Sequence, residues 1–296
     1  MKRLYLIALT ACLVPGASLA EDWMPVLRTG MEFQGETDLK DLNSGEFNFW
    51  LWNLGGDVSG EVADDVRLGF DADYTVIGYD FDDIATGEPW ETVHVVRLTP
   101  TFEISVTDEW SIVTGPFIEF SGEDDADFGD TISGGGLFGV GYRMSDDLSL
   151  GLGLVVRSEI EDDVYVQPWV RASWDATDDL NVSLGTGSRR GGQLRVGYTF
   201  LDDFEAAFSG GFRRERFRLD DSGPTRDGVG QEEAIVGSLN LVWNFFENAS
   251  AEVYVGLTAD GEFRLENSRG HKIIDSDYDD AAMGGFRFRY DFGRTN

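Results

Sequence analysis

Val66-Arg67-Leu68-Gly69-Phe70-Asp71-Ala72-Asp73-Tyr74-Thr75-Val76 decides the fold. Val66, Leu68, Phe70, Ala72, Tyr74 and Val76 fall on one face of an extended strand. Arg67, Gly69, Asp71, Asp73 and Thr75 fall on the other, because successive strand side chains point to opposite sides. The pattern returns at Leu148 to Arg157, where Leu148, Leu150, Leu152, Leu154 and Val156 oppose Ser149, Gly151, Gly153, Val155 and Arg157. It returns again where Phe286, Phe288, Tyr290 and Phe292 alternate with Arg287, Arg289 and Asp291. One face is apolar and the other is small or charged.

Alternation suits a soluble antiparallel sandwich as well as a transmembrane barrel, and the turns separate the two. A short acidic turn recurs at Ala63-Asp64-Asp65, Thr107-Asp108-Glu109, Ser145-Asp146-Asp147, Thr177-Asp178-Asp179, Leu201-Asp202-Asp203 and Phe246-Glu247-Asn248. Between these turns lie longer, more variable connections: 82–89, 124–130, 161–163, 189–192, 220–232 and 266–280. The longest, from Glu266 to Asp280, spans 15 residues, which limits any reading as a barrel that only presents adhesive loops. Short turns on one side and longer loops on the other are the asymmetry of outer-membrane barrels.

Facing gives an independent check. At each short turn the apolar face leaves and re-enters four residues apart: Val62 and Val66, Val106 and Trp110, Met144 and Leu148, Ala176 and Leu180, Phe200 and Phe204, Phe245 and Ala249. Trp110, Tyr142, Trp174, Phe200, Phe204, Trp243 and Phe245 crowd these turns as one interfacial girdle. Two strands around each of six turns, with Leu27–Thr37 before them and Ala281–Phe292 after, predict an all-β, transmembrane, antiparallel up-and-down barrel of fourteen strands. Glu32 and Gln34 blur the alternation of the first strand, and the hairpin from Leu180 to Leu201 is short; twelve strands is the count if either fails.

The last strand, Gly284-Gly285-Phe286-Arg287-Phe288-Arg289-Tyr290-Asp291-Phe292, resembles the assembly signal of bacterial outer-membrane β-barrel proteins, departing from it in that Gly293-Arg294-Thr295-Asn296 follow. The resemblance covers the chain beyond residue 20 as an architecture, is porin-like, and identifies no particular family. It implies residence in the outer membrane of a Gram-negative bacterium, contact with outer-membrane lipid and lipopolysaccharide, and delivery to the barrel-assembly machinery through the C-terminal strand. Oligomeric state is not readable.

The N-terminus agrees with export. Met1-Lys2-Arg3 is a basic head, Leu4 to Val14 an apolar run, and Ser18-Leu19-Ala20 a small-residue cleavage site, so residues 1–20 read as a signal peptide and 21–296 as one barrel domain. The rival is a lipobox, Leu9-Thr10-Ala11-Cys12, with Cys12 lipidated. Cys12 is the only cysteine, so the mature chain holds no disulfide framework. No apolar run after residue 20 approaches the ~20 residues of a spanning helix.

Composition excludes other classes. The 296 residues carry 23 Lys plus Arg against 55 Asp plus Glu, a net charge of −32, and only Lys2, Lys40 and Lys272 are lysines. This acidic protein repels nucleic acid. An aromatic content of 13% excludes a disordered acidic chain.

Function is read from the inner face. Paired residues across a turn have a constant number sum, which sets Glu61 opposite Arg67, Arg67 opposite Glu103, Asp73 opposite Arg97, and Arg97 opposite Glu119. Two ladders follow, Glu61-Arg67-Glu103 and Asp73-Arg97-Glu119, and Arg143, Arg157, Arg171, Arg195, Arg213, Arg287 and Arg289 also point inward. Charged rows predict a hydrated, passive, porin-like pathway for small hydrophilic solutes; the alternative is a closed structural barrel in which the rows neutralise one another. The acidic connections lack the Asp-x-Asp-x-Asp-Gly order of a calcium loop, so no metal and no cofactor are expected. An outer-membrane lipid-modifying enzyme needs a base beside a nucleophile. His94 points outward near the outer rim, with Gly122 opposite, Ile77 or Gly78 near it and no serine on that face; His271 lies in a loop beside Lys272. No catalytic residue is assigned.

Overall fold

The computed structural model describes residues 23–40, 45–84, 87–186, 191–222 and 225–292. The signal-peptide segment, the lipobox and residues 189 and 190 of the connection at 189–192 lie outside them. The strands are β1 (Met24–Asp38), β2 (Glu46–Ala63), β3 (Val66–Asp82), β4 (Thr92–Ser105), β5 (Trp110–Glu123), β6 (Ile132–Arg143), β7 (Leu148–Glu159), β8 (Asp162–Asp175), β9 (Leu180–Thr186), β10 (Gly191–Leu201), β11 (Phe204–Arg218), β12 (Val229–Phe246), β13 (Ala249–Glu266), β14 (Lys272–Tyr278) and β15 (Ala281–Asp291).

Each strand from β1 to β13 pairs antiparallel with its chain neighbour, and β15 joins β13 to β1 and closes the sheet. β14 continues the line of β15 along β13: Gly261 faces Tyr278 and Thr258 faces Ala281, so both pieces hold one register. The two form a single wall strand interrupted at Asp279-Asp280, and the closed barrel has fourteen strands.

The registers follow the number sums. Glu61 faces Arg67, Arg67 faces Glu103, Asp73 faces Arg97, and Arg97 faces Glu119. Closure of the sheet pairs the strands around the whole circumference, so their backbone groups find partners within the wall wherever neighbouring strands run side by side. The outward row is apolar and exposed, with Leu152 63% and Leu239 66% exposed, and the girdle gathers as ring pairs such as Trp110 beside Tyr142 (centroids 4.6 Å apart) and Phe204 stacked on Trp243 (6.2 Å). Aspartates suit the connections because several enter the left-handed region that they tolerate better than most residues, among them Asp65 (φ 63°), Asp83 (56°), Asp125 (69°) and Asp227 (52°).

Several connections differ from the expected ones, and Asp162 and Asp163 of the expected 161–163 connection already belong to β8. The connection from Glu266 shrinks to residues 267–271, because Lys272–Tyr278 forms β14; alternating charges in Asp275, Asp277, Asp279 and Asp280 masked that strand. The connection after Asp220 ends at Gly228, and Val229, Gln231 and Glu232 are buried in β12.

Wall height is uneven. β9 has only seven residues and meets β8 from Arg171 downward, so the upper part of β8 has no strand partner on that side. β11 rises past β10 and bends over the top, where Arg218 pairs in parallel with Gly122 of β5. Side chains close the gap: Arg214 stacks on Tyr165 (4.9 Å) and reaches Glu159 (3.4 Å), and Arg216 donates to the carbonyl of Ile160 (2.8 Å).

Candidate functional site: the lumen

The inner face has three levels. The outermost is an aromatic plug. On β3 the inward residues change from Arg67, Asp71 and Asp73 to Ile77, Tyr79 and Phe81, and on β4 from Arg97 to Val95 and Val93. Phe47 and Phe49 of β2, Phe217 of β11, Phe263 and Leu265 of β13 and Tyr278 of β14 complete the ring, with Leu39 and Leu219 from adjoining segments. A bulge at Asp260 (φ 50°) brings Phe263 and Leu265 inward, although Tyr254, Gly256 and Thr258 are the inward residues below it. Trp90, from the β3–β4 connection, fills the centre and is 2% exposed. Its ring stacks on Phe263 (centroids 4.0 Å, 11° between planes) and meets Phe217 edge-on at 5.0 Å. Gly261 makes room for this packing, since a Cβ there would lie 2.0 Å from the Tyr278 ring.

Below the plug lies a charged belt. Arg97 donates through Nε to Glu119 (2.7 Å), and Glu119, 0% exposed, also receives Arg157 (3.2 Å). Arg157 continues to Glu159 (3.4 Å) and sits 5.1 Å from the Phe117 ring centroid. Arg216 carries the chain on to Glu266 (2.6 Å). Across the lumen, Arg213 holds Glu32 (2.7 Å) and Glu232 (3.1 Å) and lies 4.8 Å from the Phe49 ring centroid. Tyr254 donates to Glu32, while Tyr79 and Tyr278 donate to Glu232. Charges this deep persist because each is paired and hydrogen-bonded.

Residues below the belt open toward the short turns. Arg28 bridges Asp57 (2.7 Å) and Asp71 (2.5 Å), with Asp73 at 4.0 Å. Arg195 joins Glu205 (2.9 Å) and Glu252 (3.0 Å), and Arg287 reaches Glu252 (2.6 Å). A polar vestibule of about 390 Å³ is lined by Glu103, Ser111, Arg143, Trp169, Arg171 and Ser173, among others. Trp169 can lie flat because Gly139 and Gly151 face it; a Cβ on either would come within 2.8 Å of the indole.

The expected ladders are met unevenly. Arg97 pairs with Glu119, and Asp73 faces Arg97 in register while also lying 4.0 Å from Arg28. Glu61, Arg67 and Glu103 align without ion pairs among the described residues, and Glu103 instead accepts from the Ser111 hydroxyl (3.1 Å). Arg143, Arg171 and Arg289 are exposed, and Arg289 lies 3.8 Å from Asp291. Sequence reasoning passed over Glu32, Gln34, Glu159, Glu232 and the whole plug. Glu32 and Gln34 keep the alternation, facing inward with Arg28 and Gly30, while Phe47, Phe49, Ile77, Tyr79 and Phe81 carried the signal of apolar residues on the inner parity.

On the outer surface, Val76 rather than Ile77 or Gly78 faces His94. The His94 ring nitrogens lie 2.8 Å from the Tyr74 hydroxyl and 2.7 Å from Asp124.

This closed, antiparallel, fourteen-strand wall is the fold of outer-membrane β-barrel channels. Among solved structures it is similar to a FadL homologue of Pseudomonas aeruginosa (TM-score 0.55, 12% identity, 92% of this chain and 90% of that one). It is also similar to the COG4313 outer-membrane channel of Pseudomonas putida F1 (TM-score 0.50, 10% identity, 92% and 96%). No family model and no curated protein matches the chain.

Proposed function

We propose that this outer-membrane barrel is a gated, non-enzymatic channel for small hydrophilic solutes, with its outer mouth closed in this structure. The observation that carries the reading is the asymmetry of the lumen: a polar vestibule opens toward the short turns, and what blocks the far end is side chains from connections and strand tips. A separate plug domain is not needed to close it. Trp90 and Leu219 belong to the β3–β4 and β11–β12 connections, so moving two short segments opens the plug while the fourteen-strand wall stays intact. The charged belt then lines the route, and Arg143 and Arg171 flank its inner entrance. Export through residues 1–20, insertion through the β15 strand and embedding of the Leu152 and Leu239 rows in lipid complete the proposal.

The His94 cluster does not favour an enzyme. His94 links a tyrosine and an aspartate, and among the described residues no serine or cysteine is bonded to it to be activated.

Planar-bilayer recording of refolded protein tests the reading. Wild type gives brief, infrequent openings and Trp90→Ala gives sustained ones. Silence of both across salt and voltage would establish the closed structural barrel instead.

A further inference from the structure

The two segments that plug the mouth are held by one side chain. Glu123, the last residue of β5, accepts the backbone N–H of Glu91 (2.8 Å) on one carboxylate oxygen and that of Asp220 (3.0 Å) on the other. Glu91 follows Trp90, and Asp220 follows Leu219, so one carboxyl pins the two central plug residues from opposite sides of the mouth. β5 rises from Trp110 in the girdle, and at a ~40° tilt and ~3.3 Å per residue it leaves the ~25 Å apolar band before Glu123.

We propose that Glu123 is a proton-operated latch: bridging the backbone amides of Glu91 and Asp220, it holds Trp90 and Leu219 in the mouth and releases them when its carboxyl is drawn into water as an anion. This deepens the channel reading and rests on it.

Burial of the Glu123 carboxyl sets the direction of the switch. Burial pushes its carboxyl up to about 7 from the ordinary 4.5; the two N–H donors oppose the rise, and the carboxylates of Asp220 and Glu91 add to it. His94 of β4 and Asp124, just past β5, bind one another, and on β11 Arg218 is committed to Glu161 (2.6 Å). No cation therefore bonds to Glu123 among the described residues. With the mouth open, the carboxyl is hydrated and returns to the ordinary range. The closed state thus binds the proton more tightly, and its extra stability is complete below about 4.5 and lost as pH rises through about 7. Acid shuts the mouth and neutral to alkaline conditions open it. Glu46, which Glu36 pushes up to about 7 on the β1–β2 side, titrates in the same range and serves as a control.

The test is reaction of Leu219→Cys with a water-soluble maleimide in refolded, vesicle-embedded protein, normalised to Asp163→Cys at each pH. Residue 219 is buried with the mouth closed and residue 163 is exposed. In the otherwise wild-type background the normalised rate rises at least about fivefold from pH 5.5 to 8. Glu123→Gln, which keeps one acceptor without the charge, is flat with pH; Glu123→Ala is fast at both ends. His94→Gln and Glu46→Gln keep the wild-type rise. Glu123→Asp, too short to reach both amides, lies between wild type and Glu123→Ala and serves if the alanine variant does not refold. A wild-type pH rise surviving in Glu123→Gln, loss of the rise in His94→Gln or Glu46→Gln, or protection of residue 219 in Glu123→Ala overturns the latch. Conductance separates it from the channel reading: a pH-switched residue 219 with no current keeps the latch and rejects the channel, whereas current with residue 219 flat in pH does the reverse.

Discussion

The two ends of the lumen are built from the same strands and solve opposite problems. Near the short turns, β3 turns Arg67 and Asp71 inward, and water reaches the interior. Four and five pleat repeats above Asp71, the same strand turns Tyr79 and Phe81 inward, and they are buried. A barrel wall therefore imposes no single character on its lumen; the inward residue at each level decides between solvent and packing. The charged belt sits where the two regimes meet, which is why its charges are nearly all paired.

That contrast predicts different costs for the same chemistry. The largest effect is expected at the plug: Trp90→Ala leaves a void among Phe263, Phe217 and Tyr79 and costs about 3–5 kcal/mol in denaturant unfolding, together with the sustained openings given above. In the belt, Glu119→Gln strands Arg97 and Arg157 around a neutral amide, at a cost of about 3 kcal/mol. Replacing Glu205 by Gln in the wetter lower lumen weakens one of two partners of Arg195 and costs under about 1 kcal/mol. Equal losses at 119 and 205 would erase the distinction between belt and vestibule.

The outer face supplies a third comparison. Leu152→Arg places a charge in lipid and costs ~2–4 kcal/mol, read from urea unfolding in vesicles. At neighbouring Gly153 the obstacle is steric, since a Cβ would lie 2.3 Å from the Phe138 carbonyl oxygen, so Gly153→Ala already destabilises whereas Leu152→Ala changes little. The smallest stability effect is expected for Arg171→Ala, which loses no ion pair with a described residue. Its readout is electrical: in Trp90→Ala channels it shifts the reversal potential in a salt gradient toward cation selectivity, and an unchanged potential would place residue 171 off the route.

How much of this was legible in the sequence follows from the same contrast. Strand count, facing and register were readable because the outer face carries one apolar row per strand, and the number sums carried that facing across six short turns to pairs such as Arg97 and Glu119. The plug was not, because there both parities are apolar, as at Val76-Ile77 or Trp50-Leu51, and alternation marks only a difference between faces. Glu32 and Glu232 were hidden for another reason: their shared partner, Arg213, reaches them across the lumen and over the β11–β12 pair, and no turn sum relates β1 to β11. Bulges at Gln34 to Thr37 and at Asp260 shift the facing in mid-strand, which is how Thr37 and Phe263 come to point inward.

The central claim is that the lumen is open from the short-turn side and shut from the other. The most direct test places a single cysteine at Ser173, on the vestibule wall, in vesicles where every barrel is inserted in one orientation. An impermeant maleimide added at pH 5.5 on the short-turn side should modify it rapidly, and reagent added on the long-loop side should leave it unmodified until Trp90 is replaced by Ala. Equal modification of the Trp90-containing protein from both sides would contradict the account.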